Sequence, residues 1–258
     1  MSEKLTFRNC DFIDFPDFHG CDICLKEGTS PPGMITWQVN GLDYSKTCNC
    51  QIIWRELHRT KRELGYGCFP KYTWNFHLTD TYVSEHGASV ELPEIYTYLD
   101  KHQEVCKLGM NLWFFGQHNT QKTSVASFIG KYFIFEKHFS YYISFENLLR
   151  YLERNRFNRE GEGEEIDYLQ RATLLIIDDI PASIPENSSI NLLQGFLLDR
   201  IARALPHIYI SVRDLKGLAV GELKGEESLK VLFEKNTKEL HLTSKVRAKD
   251  RIEKFYER

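Results

Sequence analysis

Apolar residues follow two different spacings along the chain. Leu112–Phe115 and Leu174–Ile177 are continuous apolar runs, and each is followed at once by polar residues. Such runs are typical of strands buried on both faces of a parallel sheet, and residues 139–143 and 208–212 predict further strands. Between them the spacing is helical, at Val125, Phe128, Ile129 and Tyr132, at Leu148, Leu149 and Leu152, and at Ile190, Leu193, Leu197, Ile201 and Ala204. This alternation predicts an α/β unit with a parallel sheet and right-handed crossovers.

The first part of the chain has a different pattern. Residues 34–41 predict a strand that runs into a turn, and residues 92–107 predict a helix just before the first buried strand. A further helix, predicted to end at Gly65, has one apolar and one basic face. We interpret the basic face as solvated, with contact to single-stranded DNA or an acidic partner as the alternative. The apolar face carries Ile53, Leu57 and Leu64, and the basic face carries Arg55, His58, Arg59, Lys61 and Arg62.

The length of 258 residues accommodates one large domain with a small appendage. We place the boundary so that residues 1–65 form a small N-terminal domain and residues 66–258 form the α/β domain. Residues 1–20 are aromatic and acidic, and we interpret them as an arm docked on its own domain, with partner binding as the alternative. The net charge of −3 provides no overall basic field for nucleic acid. No signal peptide and no membrane-spanning apolar stretch is visible, so a cytoplasmic location is expected.

The polar residues after the first apolar run have the order of a phosphate-binding loop. The segment reads G-x-x-x-x-Q-K-T and lies between a predicted strand and a predicted helix. In such loops, backbone N–H groups and the helix N-terminus point at a polyphosphate. Lys122 would reach the outer phosphates, and the Thr123 hydroxyl would be a ligand of Mg²⁺. The predicted nucleotide-binding residues are Gly116, Gln117, His118, Asn119, Thr120, Gln121, Lys122, Thr123 and Ser124.

The second buried run ends in Asp178 and Asp179, where ligands bind in parallel sheets. Asp178 would hold Mg²⁺ through its water shell, and Asp179 would polarise the attacking water. Gln121 replaces the usual second glycine of the loop, so the loop alone is also compatible with a turn before an ordinary helix. The acids alone are compatible with a solvated strand end. Together, and in this order, the two motifs predict binding of ATP and Mg²⁺, with Lys122, Asp178 and Asp179 as the catalytic residues.

Four of the seven cysteines are paired closely, as Cys21-x-x-Cys24 and Cys48-x-Cys50. In a chain without an export signal, this spacing favours a metal over disulfides. Four thiolates make a tetrahedral structural Zn²⁺ site, and the metal would stabilise a region too small to fold on its own core. The alternative is incidental buried cysteines. Substitute ligands are Cys10, Cys68 and His19, whereas Cys106 is assigned to the core.

Taken in chain order, these features resemble the bacterial and phage helicase-loader ATPases of the DnaC/DnaI/IstB type, which are AAA+ proteins. The resemblance covers nearly the whole chain. It rests on the cysteine module, the basic helix, the Pro-aromatic segment near Pro70, the phosphate loop and the Ile-Ile-Asp-Asp strand. The Asp178-Asp179 ending and the segment Tyr141–Ser144 before a leucine-rich helix are also similar to the family. The resemblance implies a P-loop AAA+ core with a parallel sheet flanked by helices, preceded by a small zinc-bound N-terminal domain.

The resemblance also implies a function, namely the delivery of a replicative ring helicase onto DNA. In this family the zinc-bearing region contacts the helicase, and the ATPase core handles nucleotide and single-stranded DNA. The implied partners are therefore a ring helicase and single-stranded DNA, with self-association or a hetero-oligomer with the helicase, and no membrane. The implied location is the cytoplasm of a bacterial cell or of a phage-infected host, and the region of Tyr72 and Trp74 is expected to cover the adenine.

Two departures from the family change the expected chemistry. The strand after the acidic one reads Ser211-Val212-Arg213-Asp214, without the asparagine that senses the γ-phosphate in the family. The family's arginine finger has no counterpart either, because residues 215–236 contain lysines but no arginine. A lysine does not reproduce the planar guanidinium fork on a transferring phosphate. We therefore expect that ATP is bound but hydrolysed slowly, with turnover dependent on a partner.

Two other functions remain open at this stage. An IstB-type transposition helper would have the same core but would assemble on duplex DNA and recruit a transposase, and the cysteine module argues against it. A non-catalytic adaptor would use the nucleotide fold only as a scaffold. Gln121 and the missing arginine favour that second alternative.

Overall fold

The computed structural model describes residues 10–15, 17–25, 32–78, 92–157, 164–184, 188–220 and 229–242. Its N-terminal part contains a short helix, a hairpin and a long helix. These elements are α1 (Asp22–Leu25), β1 (Met34–Val39), β2 (Leu42–Thr47) and α2 (Asn49–Tyr66). The next elements are α3 (Leu92–Asp100), α4 (His102–Leu108), β3 (Asn111–Phe115), α5 (Lys122–Phe135), β4 (Ser140–Ser144) and α6 (Phe145–Phe157). The last are α7 (Glu164–Arg171), β5 (Leu174–Ile180), β6 (Ser183–Ile184), α8 (Ser188–Ala202), β7 (His207–Ser211), β8 (Ala219–Val220), α9 (Leu229–Glu234) and β9 (Thr237–His241).

A five-stranded parallel sheet with the order β4-β5-β7-β3-β9 forms the centre of the α/β part. The residues of β3, β5 and β7 are almost all buried, as the continuous apolar runs predict. Two apolar clusters, one on each face of the sheet, contain the side chains of the flanking helices. The predicted α/β class with a parallel sheet and flanking helices is therefore confirmed.

The hairpin β1–β2 lies outside this core. Asn40 and Gly41 both have positive φ, 52° and 77°, as a two-residue hairpin turn requires. The sequence pattern predicts only β1 and the turn, because β2 is polar and its residues are all exposed. Trp37 and Tyr44 are direct cross-strand partners and their rings stack, with centroids 6.0 Å apart. The hairpin buries little apolar surface, so strand pairing alone does not stabilise it.

Helix α2 joins the hairpin to the core. It is amphipathic, and Leu57 and Leu64 are buried in the same apolar cluster as the residues of α5. Arg59 of the basic face donates hydrogen bonds to the carbonyl oxygens of Ile134 and Phe135, in the last turn of α5. The division of the chain after residue 65 stays a prediction, and α2 is one of the elements through which the two predicted parts contact each other.

The segment after α2 runs along the free edge of β4. The Tyr142 N–H donates to the carbonyl oxygen of Gly67 at 2.8 Å. A Cβ atom on Gly67 would lie 2.4 Å from the Ser140 carbonyl oxygen, so only glycine fits this approach. Gly67 thus allows residues 67–69 to cover the edge strand.

The N-terminal arm packs on its own core at residues 10–15. The carboxamide oxygen of Asn75 accepts hydrogen bonds from the backbone N–H groups of Phe12 and Ile13. Lys131 of α5, which is buried, donates to the carbonyl oxygens of Trp74 and Phe76, both at 2.8 Å. The arm thus packs on its own chain, but Asn75 belongs to the second of the two predicted domains.

Burial lowers the pKa of Lys131 to about 7, so stability is expected to depend on pH. Between that value and the usual lysine pKa of about 10.4, the unfolded chain binds a proton that the folded chain does not. The free energy of unfolding should therefore rise as the pH increases from 7 to 10, by on the order of 3 kcal/mol. Urea titrations of wild type and Lys131→Met across this range test the prediction. The free energy of unfolding of Lys131→Met should not rise with pH in this range. An equal dependence on pH in both proteins would refute the prediction.

Other predicted elements differ in their bounds. The helix expected over 92–107 is broken at Lys101, which has φ −99° and ψ 23°, so α3 and α4 are separate helices. The strands expected at 139–143 and 208–212 are each displaced by one residue. The charged tail at 245–258 and most of the acidic loop at 160–165 lie outside the described residues. Among the helices that are described, none is long and apolar enough to cross a membrane.

Candidate nucleotide site and cysteine cluster

The carboxyl ends of β3, β5 and β7 meet at one edge of the sheet, beside the N-terminus of α5. The loop 116–121 connects β3 to α5 and begins at Gly116, whose φ is 141°. A Cβ atom there would lie 2.3 Å from the carbonyl oxygen of Leu242, so a glycine is required. The loop therefore starts where β9 passes close to β3.

A cleft of about 370 Å³ opens at this edge. Three parts of the molecule form its walls: the loop with the start of α5, the end of β5, and the end of β7. Tyr72 also lines the cleft, whereas Trp74 is buried and its indole N–H donates to the Phe69 carbonyl oxygen. The lining residues include His118, Asn119, Thr120, Gln121, Lys122, Thr123, Ser124, Asp178 and Asp179.

Lys122 is folded back onto the loop. Its Nζ donates to the carbonyl oxygens of Gly116 and Gln117, at 2.9 Å and 2.7 Å, and to the Thr120 hydroxyl at 3.2 Å. Burial lowers the pKa of Lys122, and the nearby carboxylates of Asp178 and Asp179 oppose that shift. The ammonium group thus lies within the loop on which a phosphate would be bound.

Thr123 and Asp178 are in direct contact, as the two motifs predict. The Thr123 hydroxyl donates to Oδ2 of Asp178 at 2.7 Å, and Asp178 is only 2% exposed. Since the hydroxyl proton points at the carboxylate, the oxygen lone pairs of Thr123 are directed elsewhere and can bind a cation. A hydroxyl and a carboxylate are ligands that Mg²⁺ prefers, so these residues fit a magnesium ion.

A second hydroxyl, which the sequence pattern did not reveal, also contacts Asp178. The phenol of Tyr142 donates to Oδ2 at 2.7 Å, the same oxygen that Thr123 contacts. Burial and the charge of Asp178 raise the pKa of Tyr142, which keeps the phenol protonated and able to donate. Only the pairing of β4 with β5 brings this residue to the site.

Asp179 differs sharply from Asp178 in its environment. It is exposed, its φ is 57°, and it lies where the β5–β7 pairing shifts register between Ile177 and Ile180. Its N–H donates to Oδ1 of Asp178 at 2.7 Å. Partial burial and the charge of Asp178 raise the pKa of Asp179, whereas His118 and Lys122 lower it. The irregular backbone turns Asp179 out of the strand and places it at the cleft.

Gln121 adopts the conformation for which glycine is usual. Its φ and ψ are 59° and 21°, in the left-handed region, and its carboxamide oxygen is buried without a hydrogen-bond partner. A residue with a Cβ atom is strained in this region by about 1–2 kcal/mol. Gln121 in place of the usual glycine therefore raises the energy of the loop but leaves the path of its backbone unchanged.

We expect Gln121→Gly to raise the free energy of unfolding by about 1 kcal/mol. The gain is the relieved backbone strain minus the entropy cost of a glycine in the unfolded chain. Thermal and urea unfolding of the ligand-free protein measure it. Gln117→Gly, in the same loop, is the control for the added glycine and should lower the free energy of unfolding. A destabilised Gln121→Gly protein would show that the carboxamide makes a favourable interaction.

The end of β7 presents no asparagine to the cleft. Ser211 donates to the Ile180 carbonyl oxygen at 2.9 Å and accepts from the Arg213 N–H. Its hydroxyl therefore stabilises the turn that follows β7. Arg213 is exposed, and Val212 is the residue after the strand that lines the cleft. A valine side chain cannot form a hydrogen bond to a phosphate.

The four predicted cysteine ligands converge at the start of α2. Their sulfur atoms all lie within 4.8 Å of one another. The Cys21–Cys48 and Cys24–Cys50 separations are both 3.7 Å, and the Cys21–Cys24 separation is 4.0 Å. With Zn–S bonds of about 2.3 Å, a tetrahedral site has sulfur atoms about 3.8 Å apart. The observed spacing thus fits a zinc ion.

The surroundings of the cysteines favour the thiolate of Cys21 and disfavour the thiolate of Cys50. The Sγ of Cys24 accepts hydrogen bonds from the backbone N–H groups of Cys21 and Gly33, at 3.2 Å and 3.3 Å. Hydrogen bonds from the backbone lower the pKa of Cys21 to about 7, with Cys24 the larger contributor. Burial and the neighbouring cysteines raise the pKa of Cys50, so four thiolates cannot coexist without a compensating charge. A divalent metal would supply that charge.

The suggested substitute ligands do not join this cluster in the part of the chain that the structure describes. Cys10 is buried in the main core, where burial raises its pKa to about 11. Cys68 is exposed, and its thiol contacts the hydroxyl of Tyr141. The choice of Cys21, Cys24, Cys48 and Cys50 is therefore the one that the geometry favours.

A phosphate-type loop after a central strand, with an acidic strand in the same parallel sheet, is the arrangement of the P-loop class of nucleotide-binding fold. The comparison with solved structures agrees with this class. A protein of Streptococcus pyogenes serotype M3, provisionally described as a primosome component, has a TM-score of 0.50 and 20% identity, covering 69% of this chain and 91% of that one. The AMPPCP-bound DnaA of Aquifex aeolicus has a TM-score of 0.50 and 16% identity, covering 73% of this chain and 56% of that one.

A DnaC helicase loader is a further neighbour, with a TM-score of 0.49 and 14% identity, covering 67% of this chain and 100% of that one. No family model and no curated protein sequence matches the chain. At these identities the comparisons show the fold. The chain shares its fold with the streptococcal protein and with DnaA, and the expected AAA+ fold is confirmed at that level.

Proposed function

We propose that this protein is an ATP-binding helicase loader, which delivers a replicative ring helicase onto DNA. The observation that carries the proposal is the connection between two sites. The cysteine cluster lies at the start of α2, and α2 packs on α5, which begins in the phosphate loop. A change at the nucleotide site can therefore be transmitted through packed helices to the N-terminal module.

The residues that would hold MgATP are those of the cleft. Backbone N–H groups of the loop and Lys122 would bind the phosphates, and Thr123 with Asp178 would hold Mg²⁺. Bound Mg²⁺ would neutralise charge on the terminal phosphates. Asp179 would orient a water, and the side chain of Val212, which also lines the cleft, would offer no hydrogen bond to the γ-phosphate. We therefore propose binding with slow turnover.

The partner is inferred from three considerations. One fold neighbour is provisionally described as a primosome component, and another is named a helicase loader. The order of features along the sequence resembles that same family. The hairpin exposes several large apolar side chains, among them Trp37, Leu42 and Tyr44, and an exposed apolar surface of this kind favours contact with another protein.

A loading assay tests the proposal. Bacterial replicative ring helicases are incubated with this protein and with circular single-stranded DNA covered by a single-strand-binding protein, and unwinding of an annealed oligonucleotide is measured. We expect unwinding to increase at least several-fold when both this protein and ATP are present. A protein that binds ATP but neither retains a helicase nor stimulates unwinding would exclude the loader function.

A non-catalytic adaptor is the second candidate, because Gln121 is strained and Val212 replaces a polar residue at the cleft. Absence of binding at millimolar ATP would support it. A transposition helper has the same core, but no described feature favours it. Recovery of a transposase and no helicase in a pull-down would favour the transposition helper over the helicase loader.

A further inference from the structure

Asp178 accepts three hydrogen bonds from protein groups, and they come from three different parts of the fold. The hydroxyls of Thr123 and Tyr142 both donate to Oδ2 at 2.7 Å, and the Asp179 N–H donates to Oδ1 at 2.7 Å. The phosphate loop motif accounts for Thr123, and the paired acids account for Asp179. Tyr142 belongs to neither motif, so its contact with Asp178 needs a separate explanation.

Strand pairing explains how Tyr142 reaches the carboxylate. Tyr142 lies opposite Ile176 in the parallel β4–β5 pair, and Asp178 lies two residues further along β5. Residues two apart in a strand share one face, so Tyr142 and Asp178 are diagonal neighbours on the same face of the sheet. Only a long side chain with a polar tip spans this diagonal and also donates a hydrogen bond.

The aromatic ring and the backbone of Tyr142 are both fixed by contacts that do not involve the hydroxyl. The ring packs against Phe69, with centroids 6.2 Å apart, and the N–H donates to the Gly67 carbonyl oxygen. The ring therefore holds its place without the hydroxyl. The hydroxyl donates to the same oxygen of Asp178 as Thr123 does, so its contact belongs to the cleft and not to the packing of the ring.

We propose that Tyr142 is a positioning residue for the magnesium site, where it fixes the orientation of the Asp178 carboxylate beside Thr123. The proposal rests on the proposed binding of MgATP. A carboxylate held by hydrogen bonds keeps the orientation that the metal requires, and loss of such a contact typically weakens metal affinity about 10-fold or more. The phosphates themselves are bound by the loop, so nucleotide affinity without magnesium does not depend on Tyr142.

Tyr142→Phe tests this, because it removes the hydroxyl and keeps the ring. The matched control is Tyr141→Phe, the adjacent residue of β4, which is buried and whose hydroxyl contacts the Cys68 thiol. For each protein, binding of a fluorescent ATP analogue is measured in EDTA and over a titration of Mg²⁺. Thermal unfolding of the ligand-free proteins verifies that each variant is folded.

We expect Tyr142→Phe to require about 10-fold more Mg²⁺ for half of the magnesium-dependent gain in affinity. Its affinity in EDTA should equal that of wild type, and saturating Mg²⁺ should restore full binding. Tyr141→Phe should follow wild type throughout. Two results would overturn the role of Tyr142 and leave the proposed function standing. One is the same magnesium dependence of binding in wild type and Tyr142→Phe, and the other is a loss of nucleotide affinity that is equal with and without Mg²⁺. A wild-type protein that binds no nucleotide would overturn the proposed function as well.

Discussion

Cys24→Ser is expected to abolish the binding of one Zn²⁺ ion per chain and to unfold the hairpin β1–β2. Cys24 is buried, its sulfur lies 3.7 Å from that of Cys50, and it accepts backbone hydrogen bonds from Cys21 and Gly33. Zinc contributes roughly 10 kcal/mol or more to the folding of small structural sites. The hairpin has little else to stabilise it, since Trp37 and Leu42 remain 43% and 63% exposed. The cluster is thus the main source of stability for this module.

The loss of structure in the Cys24→Ser protein should not extend beyond α2. Leu57 and Leu64 are buried in the main core, so the α/β part should keep its cooperative thermal transition in the Cys24→Ser protein. Zinc content by mass spectrometry, the fluorescence of Trp37 and limited proteolysis measure the effect. Cys68→Ser, which changes an exposed cysteine outside the cluster, is the control and should keep its zinc. A Cys24→Ser protein that retains one zinc ion and a protected hairpin would refute the prediction.

The parts of the structure that the sequence predicts well are those with a local physical cause. Strands β3 and β5 follow from continuous apolar runs, which few environments other than a buried sheet accept. The loop after β3 is predicted from Gly116 and from the residues around Lys122, because the backbone of a single turn sets the spacing of these residues. The closeness of Cys21 to Cys24 and of Cys48 to Cys50 also follows from the sequence, because Cys-x-x-Cys and Cys-x-Cys each place two thiols on one turn, and their role as zinc ligands stays a prediction.

The parts that the sequence could not predict depend on contacts between distant residues. Strand order decides that β4 lies beside β5, so the contact between Tyr142 and Asp178 has no signature in either segment alone. Strand β2 is polar and exposed, and its pairing follows only from the turn at Asn40. Strand β9 has no continuous apolar run, because it is an edge strand with mostly exposed or half-buried residues. In each case, tertiary pairing determines the structure and local pattern does not.

The largest effect at the nucleotide site is expected from Lys122→Ala, which should weaken ATP binding about 100-fold or more. The ammonium group donates to Gly116, Gln117 and Thr120, which places it within the loop that would bind the phosphates. Phosphate oxygens are charged acceptors, and hydrogen bonds to charged groups contribute about 1.5–3 kcal/mol each. Losing two of them accounts for the expected change in affinity.

Equilibrium binding of a fluorescent ATP analogue in the presence of Mg²⁺ measures this loss. Lys107→Ala is the control, since Lys107 is an exposed lysine of α4 that does not line the cleft. Removal of the ammonium group also frees two loop carbonyl oxygens, so the ligand-free variant should unfold at a slightly lower temperature than wild type. The two effects are separable, because a slightly less stable protein is still almost entirely folded at the temperature of the binding measurement, so lower stability alone leaves its affinity for ATP unchanged. If Lys122→Ala binds ATP as tightly as wild type, Lys122 is a structural lysine of the loop, and the cleft is not a phosphate site.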